Sequence, residues 1–320
     1  MVLHYCSEYL KVVLPIQAAE YFALSLVERD QKLAGWRHST TQRYESSVVF
    51  VDEEGVSLVW YLPDLFSGEV KSRIQQKTTL IQKKLVYFGG DTSTEHVEVD
   101  STPAKKRRKI SEHQFVDRKW KPTIFPGVCS FSFTCKGENP AGEVSITPNM
   151  CFEEPAGMQA QTEEWLARIS EHQILVSLVL SFIHPGLYQA GRRTLEKCCQ
   201  ETSQRTAHWA KRWNSVFTSL TVISGRTSAP HVEPEGASNY FDSLVALGSS
   251  SNSILGLREL NVSFRSKSGT GVFFSGQGWT HKVPDWGTGE SLSYVSHMHP
   301  ELIEYGGGNV EQYGLKLPLK

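Results

Sequence analysis

The sequence lacks several features that mark common functional classes. Its 33 Lys and Arg residues balance 34 Asp and Glu residues, so the formal net charge is −1. No global field therefore draws the protein toward nucleic acid or acidic lipid. The chain also has no Gly-rich phosphate loop, no nucleophile elbow and no paired-cysteine metal motif. If this protein binds nucleic acid, a local patch must provide the contact.

Zinc-type cysteine spacing and a membrane span are also missing. The six cysteines are scattered and no secretory signal opens the sequence, so we expect reduced thiols in an intracellular protein. The longest strongly apolar run, residues 174–183, is too short to span a bilayer and fits a buried helix. The expectation is a soluble cytosolic or nuclear protein with no membrane partner.

Apolar periodicity divides the 320 residues into helices and strands around one polar segment. Helices are predicted at 14–33, 70–88, 162–183 and 187–212. Strands are predicted at 47–51 and 56–62, which form a hairpin, and at 125–134, 217–223, 240–248, 260–264 and 271–276, whereas 140–155 is predicted to be a loop. The polar segment suggests three units: an N-terminal α/β buttress (1–88), a flexible basic linker (89–121) and a β-rich domain (122–320).

Two stretches of positive charge are candidates for contact with nucleic acid. Residues 105–109 are five consecutive Lys and Arg residues, a pattern typical of nuclear import signals and of phosphate contacts, although a solvated charge run is the alternative. The predicted helix 187–212 carries six basic and two acidic residues. Its candidates for DNA-backbone contact are Arg192, Arg193, Arg205 and Arg212, and the alternative is an ordinary solvated helix face.

Three His-x-Glu tripeptides occur in the chain, at His96/Glu98, His231/Glu233 and His299/Glu301. The second differs in its setting, because a predicted strand precedes it and a Gly/Phe-rich strand leads into His281 fifty residues after His231. Two His and one carboxylate from neighbouring strands can hold Fe(II) on one face and leave the other face open. The alternative is a set of surface histidines on an all-β sandwich.

These residues resemble a known enzyme family. The segments 222–233, 240–245 and 269–276, with His281 following, are similar to the TET/JBP family, and most similar to its fungal branch. The resemblance covers roughly residues 165–298. It implies an α+β chain with a double-stranded β-helix core, a cupin-like jelly roll, buttressed by N-terminal and central helices.

The resemblance also implies an activity, cofactors and a partner. Members of this family are Fe(II)/2-oxoglutarate dioxygenases that oxidise methylated bases such as 5-methylcytosine in DNA. The implied iron ligands are His231, Glu233 and His281. A base inside double-stranded DNA must be flipped out before it reaches such a site, so an apolar cavity and basic loops are expected beside the iron.

Two departures from the family pattern bear on activity. Glu233 stands where the family has Asp, and Ser291 stands where it has the Arg that binds the 5-carboxylate of 2-oxoglutarate. Arg226, which precedes the His-x-Glu motif as an Arg does in the family, is the best candidate for an anion contact. We therefore expect metal binding, weak 2-oxoglutarate binding and slow turnover. The alternatives are a catalytically degenerate DNA-binding module and a cupin-like structural protein.

Overall fold

The computed structural model describes residues 9–87, 124–136, 143–150, 156–250 and 252–319. The strands in these ranges are β1 (Leu10–Val13), β2 (Gln42–Tyr44), β3 (Val48–Val51), β4 (Ser57–Leu62), β5 (Gly127–Lys136), β6 (Glu143–Ile146), β7 (Ser219–Ser224), β8 (Ser228–His231), β9 (Asp242–Gly248), β10 (Ile254–Leu257), β11 (Val262–Arg265), β12 (Gly271–Phe274), β13 (His281–Val283) and β14 (Ser291–His297). The α-helices are α1 (Ala18–Ala23), α2 (Leu26–Ala34), α3 (Gly68–Thr78), α4 (Gln82–Tyr87), α5 (Ala156–Arg168), α6 (Ser170–Ile183), α7 (Pro185–Glu201), α8 (Gln204–Ala210) and α9 (Pro300–Tyr305).

The strands form two sheets. One has nine strands in the order β1-β3-β4-β12-β9-β14-β7-β5-β6, and the other has five in the order β2-β11-β10-β13-β8. From β7 to β14 the chain passes repeatedly between them: β7, β9, β12 and β14 lie in the first sheet, and β8, β10, β11 and β13 lie in the second. Neighbours among these eight strands pair antiparallel. The result is an α+β fold in which two large sheets face each other.

The N-terminal third belongs to the same two sheets. The predicted hairpin is confirmed as β3 and β4, and β4 pairs antiparallel with β12. Strand β1 adds to β3, and β2 adds to β11, both in parallel. Residues 10–62 therefore extend the β-rich domain rather than forming a separate layer. The predicted linker 89–121, with its basic run 105–109 and His96, lies outside the described residues.

Two apolar cores hold the fold together, one on each face of the nine-stranded sheet. The helical core packs α3 and α5–α9 against outward-facing residues such as Leu220, Leu292 and Tyr294. The sandwich core lies between the sheets and includes Phe50 and Phe274 from the larger sheet. In the large sheet, the members of the sandwich core come from β3, β4 and β12, and Leu244 of β9 packs against them. None of its described members comes from β14, β7 or β5.

Each long helix predicted from periodicity is interrupted. The predicted helix 14–33 is two helices, because Ser25 accepts a hydrogen bond from the Glu28 backbone while the Glu28 carboxylate bonds back to the Ser25 backbone, and this capping box starts a new helix. The predicted helix 187–212 likewise divides into α7 and α8, with Ser203 capping α8. A short 3₁₀ turn separates α3 from α4. Periodicity alone does not show such breaks, because the apolar face continues across them.

The long helix predicted at 162–183 is also two helices. Helices α5 and α6 meet at an angle of 49°. Within the described ranges no single helix is long and apolar enough to cross a membrane, and only this bent pair passes that test of length and composition when its two parts are taken together.

Candidate metal centre

Two histidines are brought side by side by strand pairing. His231 ends β8 and His281 begins β13, and the two residues are direct partners in the antiparallel register. Directly opposed residues of antiparallel strands project from the same face, so the rings meet, with centroids 4.3 Å apart. Glu233 follows two residues later, where its backbone N–H donates to the Gly276 carbonyl at 2.9 Å. The three predicted iron ligands therefore come together.

Backbone hydrogen bonds set the tautomers of both rings. His231 Nδ1 lies 2.8 Å from the Ala229 carbonyl, and His281 Nδ1 lies 3.0 Å from the Trp279 carbonyl. A carbonyl only accepts, so each Nδ1 carries the proton and each Nε2 keeps a free lone pair. Both Nε2 atoms face Glu233 Oε1, at 3.4 Å for His231 and 4.0 Å for His281. Orientation of a ligating His through its second nitrogen is typical of metal sites.

The donor set fits a divalent metal ion. The ligand atoms of the three residues all lie within 4.8 Å of one another. Two ligands held about 2.1 Å from one metal at right angles are roughly 3 Å apart, so closing the set requires shifts of about 1 Å. The Glu233 side chain is 49% exposed and can make that adjustment, whereas the His281 side chain is 9% exposed and fixed by packing. Two imidazoles and one carboxylate suit Fe(II), Mn(II) and similar ions.

The protonation states follow from the same contacts. A protonated His231 would donate its Nε2–H to the Glu233 carboxylate, and this contact raises the pKa of His231 and lowers the pKa of the Glu233 carboxyl; in the neutral ring, Nε2 keeps its lone pair. Burial lowers the pKa of His281 to about 4, and the neighbouring His231 acts in the same direction. At neutral pH, Glu233 is therefore ionised and His281 is neutral, which are the forms that bind metal.

A buried carboxyl group and a glycine support Glu233 from behind. Asp242 accepts a hydrogen bond of 2.9 Å from the Gly276 backbone N–H, and burial raises the pKa of Asp242 to about 8. A Cβ atom at position 276 would lie 2.5 Å from Asp242 Oδ2 and 2.9 Å from Glu233 Cγ. Gly276 is therefore needed where these side chains meet. Sequence patterns gave no indication of Asp242, because it begins an ordinary strand.

The face of the nine-stranded sheet that points toward the five-stranded sheet is its inner face. The sandwich core covers this face only in part, because it has no described member from β14, β7 or β5. Leu292 and Tyr294 belong to the helical core, so the alternate residues of β14 project from the opposite side. The open face is defined by the inward residues of β14, β7 and β5, most of them half-buried: Ser291, Ser293, Val295, His297, Thr221, Ile223 and Ser130. The Glu233 charge acts on His297, whose pKa burial lowers to about 4. The open face therefore adjoins the metal cluster.

Ser291 and Arg226 lie near each other at one end of this face. The Ser291 carbonyl accepts a hydrogen bond of 2.9 Å from the backbone N–H of Gly225, the residue before Arg226. The Arg226 charge also acts on His231, where it opposes the rise in pKa. Two other arginines that could have replaced the missing cation are held elsewhere: Arg258 lies 3.9 Å from Asp30, and Arg265 lies 3.3 Å from Glu45.

The four basic residues predicted to contact DNA are exposed but lie on the helical side. Arg192 pairs with Glu196 at 2.8 Å, Arg212 lies 3.4 Å from Glu163, and Arg193 and Arg205 are exposed. Their helices, α7 and α8, pack into the helical core, on the opposite face of the sheet from the metal cluster. These residues therefore do not adjoin the metal cluster, and DNA contact by them stays a prediction about a separate surface.

The histidine that ends β14, His297, and the one that follows the strand, His299, have different surroundings. His297 belongs to the open face, whereas His299 Nε2 lies 3.1 Å from the Ser132 hydroxyl. The His299/Glu301 pair does not join the metal cluster, since the metal-capable group found within the described residues is the one formed by His231, Glu233 and His281.

Comparison with known proteins identifies the fold. No protein-family model matches the chain, and no curated protein matches it. Among solved structures it is similar to Naegleria NgTET1 in complex with 5mC DNA, with a TM-score of 0.51 and 14% sequence identity. The similarity covers 89% of this chain and 92% of that one. The chain therefore has a TET-like fold.

Proposed function

We propose that this protein is an Fe(II)-dependent oxygenase of the TET type that oxidises a methylated base in DNA. The observation that carries the proposal is the convergence of His231, Glu233 and His281, with both Nε2 atoms directed at one carboxylate, within a fold like that of a TET protein bound to 5mC DNA. Fold alone does not establish an activity, so the donor set is the stronger support.

The proposal includes a double-stranded β-helix as its scaffold. Strands β7 to β14 alternate between two facing sheets, with β7-β14-β9-β12 opposite β8-β13-β10-β11. This arrangement favours a jelly roll, in which the metal ligands sit on the inner faces. The fungal branch of the TET/JBP family remains the finer assignment favoured by the sequence motif.

The protein residues have separate roles around the metal. Fe(II), when bound, would supply the oxygen chemistry. His231 and His281 would hold it through Nε2, with Ala229 and Trp279 fixing ring orientation through their carbonyls. Glu233 would close the set, and the buried Trp279 and Phe274 keep water from the His281 side. The open face leaves room for a cosubstrate and for a flipped base.

The cosubstrate in this proposal is a 2-oxo acid, and 2-oxoglutarate fits only in part. Arg226, whose charge reaches His231, is the candidate partner for one carboxylate. The open-face positions carry no cation within the described residues, so the 5-carboxylate would have to use the same Arg226, which lies beside Ser291 in the chain's fold. The loss of a charge-assisted bidentate contact costs about 1.5–3 kcal/mol, so 2-oxoglutarate should bind roughly ten- to a hundred-fold more weakly than at a site with Arg.

Nuclear localisation belongs to the same proposal. It rests on the basic run 105–109, which suits a nuclear import receptor, and on DNA as the substrate. Fusing residues 89–121 to a fluorescent protein and replacing the five basic residues by Ala tests it by microscopy.

A product assay tests the oxygenase proposal. The purified chain is incubated with Fe(II), a 2-oxo acid and duplex DNA carrying 5-methylcytosine, and the nucleosides are measured by mass spectrometry. We expect slow formation of oxidised base that is abolished in His281→Ala and kept in His208→Ala, which removes a histidine paired with Glu163 on the helical side. Oxidation that persists in His281→Ala would refute the proposal. The absence of oxidised base from wild type under every condition would also refute it.

Ser291 and Glu233 favour one second candidate, a DNA-binding module without turnover. That candidate predicts DNA binding of equal strength in wild type and His281→Ala, together with no oxidised product. A shift assay that shows DNA binding in both proteins, together with no oxidised base in the product assay of wild type, would favour this candidate over the oxygenase.

A further inference from the structure

The loop between β12 and β13, residues 275–280, holds two of the three metal-capable residues in place. Its Trp279 carbonyl accepts the Nδ1–H of His281, and its Gly276 carbonyl accepts the backbone N–H of Glu233 at 2.9 Å. Most of the loop is buried. The orientation of the His281 ring and the position of the Glu233 backbone therefore depend on what fixes this loop.

Arg29 on α2 fixes the middle of the loop. Its Nη1 donates to the Gly278 carbonyl at 3.0 Å, its Nη2 donates to the Phe22 carbonyl at 2.6 Å, and its Nε donates to the Leu24 carbonyl at 2.9 Å. A guanidinium holds its donors in one rigid plane. The loop is therefore tied at a set distance from the segment that joins α1 to α2.

The guanidinium of Arg29 has no counter-ion in the part of the chain that the structure describes. The residue is 6% exposed, and within those ranges its partners are the three backbone carbonyls and the Phe22 ring. Burial of a charge without an opposite charge is costly unless its hydrogen bonds are satisfied. The position of the side chain is therefore set closely by these carbonyls.

Phe22 packs against the same loop. Its ring lies 5.3 Å from the Trp279 ring, measured between centroids, and a Cβ atom added at Gly278 would lie 2.8 Å from Phe22 Cε1. The segment that carries Phe22 and Arg29 therefore holds the loop by close packing as well as by a hydrogen bond.

We infer that Arg29 is a positioning residue for the metal centre, which keeps the His281 ring oriented toward Glu233 by fixing the loop through Gly278. Its effect passes through the backbone of residues 278–281 rather than through contact with a ligand. Arg29 also lies outside residues 165–298, over which the family resemblance extends. The inference rests on the proposed function, because it concerns the same metal-binding residues.

A positioning role and a purely structural role have different consequences. If Arg29 only stabilised the fold, its loss would lower the melting temperature and leave the metal affinity of the folded protein unaltered. If it positions the loop, its loss also lowers that affinity. Melting temperature and Mn(II) affinity must therefore be measured on the same variants of the full chain.

Calorimetric titration with Mn(II) tests the inference in two variants. Arg29→Met keeps an unbranched side chain but has no donor, and Arg29→Lys keeps the charge but lacks the planar set of donors. We expect Mn(II) affinity to fall about tenfold in Arg29→Met and about threefold in Arg29→Lys, since changes to groups that orient metal ligands have effects of this order. Arg37→Met, which breaks a contact of 2.6 Å with Asp30, is the matched control and should bind as wild type does.

The variants decide the inference whether or not both fold. Unaltered Mn(II) affinity in folded Arg29→Met would overturn it, and so would an equal fall in affinity in Arg37→Met. If thermal melting shows that Arg29→Met does not fold, unaltered affinity in Arg29→Lys overturns the inference instead.

The inference and the proposed function fail separately. Absence of Mn(II) binding in the wild-type chain would overturn the proposed function together with the inference. Mn(II) binding in wild type, with unaltered affinity in the folded Arg29 variants, would overturn only the inference.

Discussion

The two faces of the nine-stranded sheet differ in how fully they are packed and in the polarity of their side chains. On the helical face, Trp165 donates to the Tyr294 hydroxyl at 3.0 Å, and that hydroxyl lies 2.8 Å from Thr78 Oγ1, all within a closed core. On the inner face, the sandwich core stops at β9, and beyond it lie half-buried polar residues and a metal-capable cluster. The same strand, β14, contributes side chains to both.

The difference shows where stability and chemistry reside. Large side chains closed on all sides stabilise the sheet, so changes there should cost folding free energy without touching the donor set. The inner face keeps exposed polar groups whose loss costs little stability. Variants on either side of β14 can therefore test whether the two properties are separable.

The largest effect is expected on the helical face. Trp165→Ala removes a fully buried ring that packs 4.5 Å from Phe131, measured between centroids, and leaves the Tyr294 hydroxyl with one partner fewer. The free energy of unfolding should fall by about 3–5 kcal/mol. Urea denaturation measures it. Leu178→Ala, at a 42% exposed position on α6, is the control and should change stability by less than about 1 kcal/mol. Equal losses in both variants would contradict a closed helical core.

A pH effect should follow from a second helical-core residue. His172 is buried, both ring nitrogens lack a hydrogen-bond partner within the described structure, and burial lowers its pKa to about 3. Because the folded pKa lies below the ordinary 6.5, the unfolded chain takes up a proton first as the pH falls. This residue therefore destabilises the fold increasingly from about pH 6.5 toward pH 3, by up to about 1.4 kcal/mol per pH unit.

His172→Phe removes that dependence, since a Phe ring can keep the stacking on Phe66. Urea unfolding at pH 7 and pH 5 should show a smaller drop in stability for the variant than for wild type, by roughly 2 kcal/mol. His38→Phe, at an exposed position, is the control. If the free energy of unfolding fell by as much in His172→Phe as in wild type between pH 7 and pH 5, the histidine could be protonated in the folded protein.

A smaller effect is expected on the inner face, and mainly in binding. Gly276→Ala places a Cβ atom against Glu233 Cγ and Asp242 Oδ2, so Glu233 must move away from the histidines. We expect Mn(II) affinity to fall about tenfold, by analogy with changes to groups that orient metal ligands. Gly35→Ala, whose Cβ meets no atom within 4 Å, is the matched control. Unaltered affinity in Gly276→Ala would mean that Glu233 does not need its present position.

Short-range patterns predicted several strands, whereas the three cluster residues were predicted from their spacing together with the family resemblance. The apolar runs of β3, β4 and β12 were sufficient, because each strand packs against a core on both sides. Strand β6, within a segment predicted to be a loop, was missed, since its four residues gain their strand structure from pairing with β5.

The histidine pairing could only be guessed from spacing. His231 and His281 meet because β8 and β13 share a register, which depends on the whole sheet order rather than on either segment. The positions of Arg192 and Arg205 on the helical side were not predictable, because net charge on a helix says nothing about which face of a sheet the helix covers. Asp242 was missed for a similar reason, as its contact with Gly276 joins residues far apart in the sequence, which the pairing of β9 with β12 brings together.

The central claim is that His231, Glu233 and His281 form one metal site, and calorimetric titration with Mn(II) tests it most directly. Wild type should bind one ion per chain, and Glu233→Ala should bind at least about tenfold more weakly while keeping its melting temperature, since the Glu233 side chain is half exposed. His208→Ala, which breaks a His–Glu contact of 2.9 Å on the helical side, should bind as wild type does. Binding that is absent in wild type, or equal in Glu233→Ala, would contradict the account.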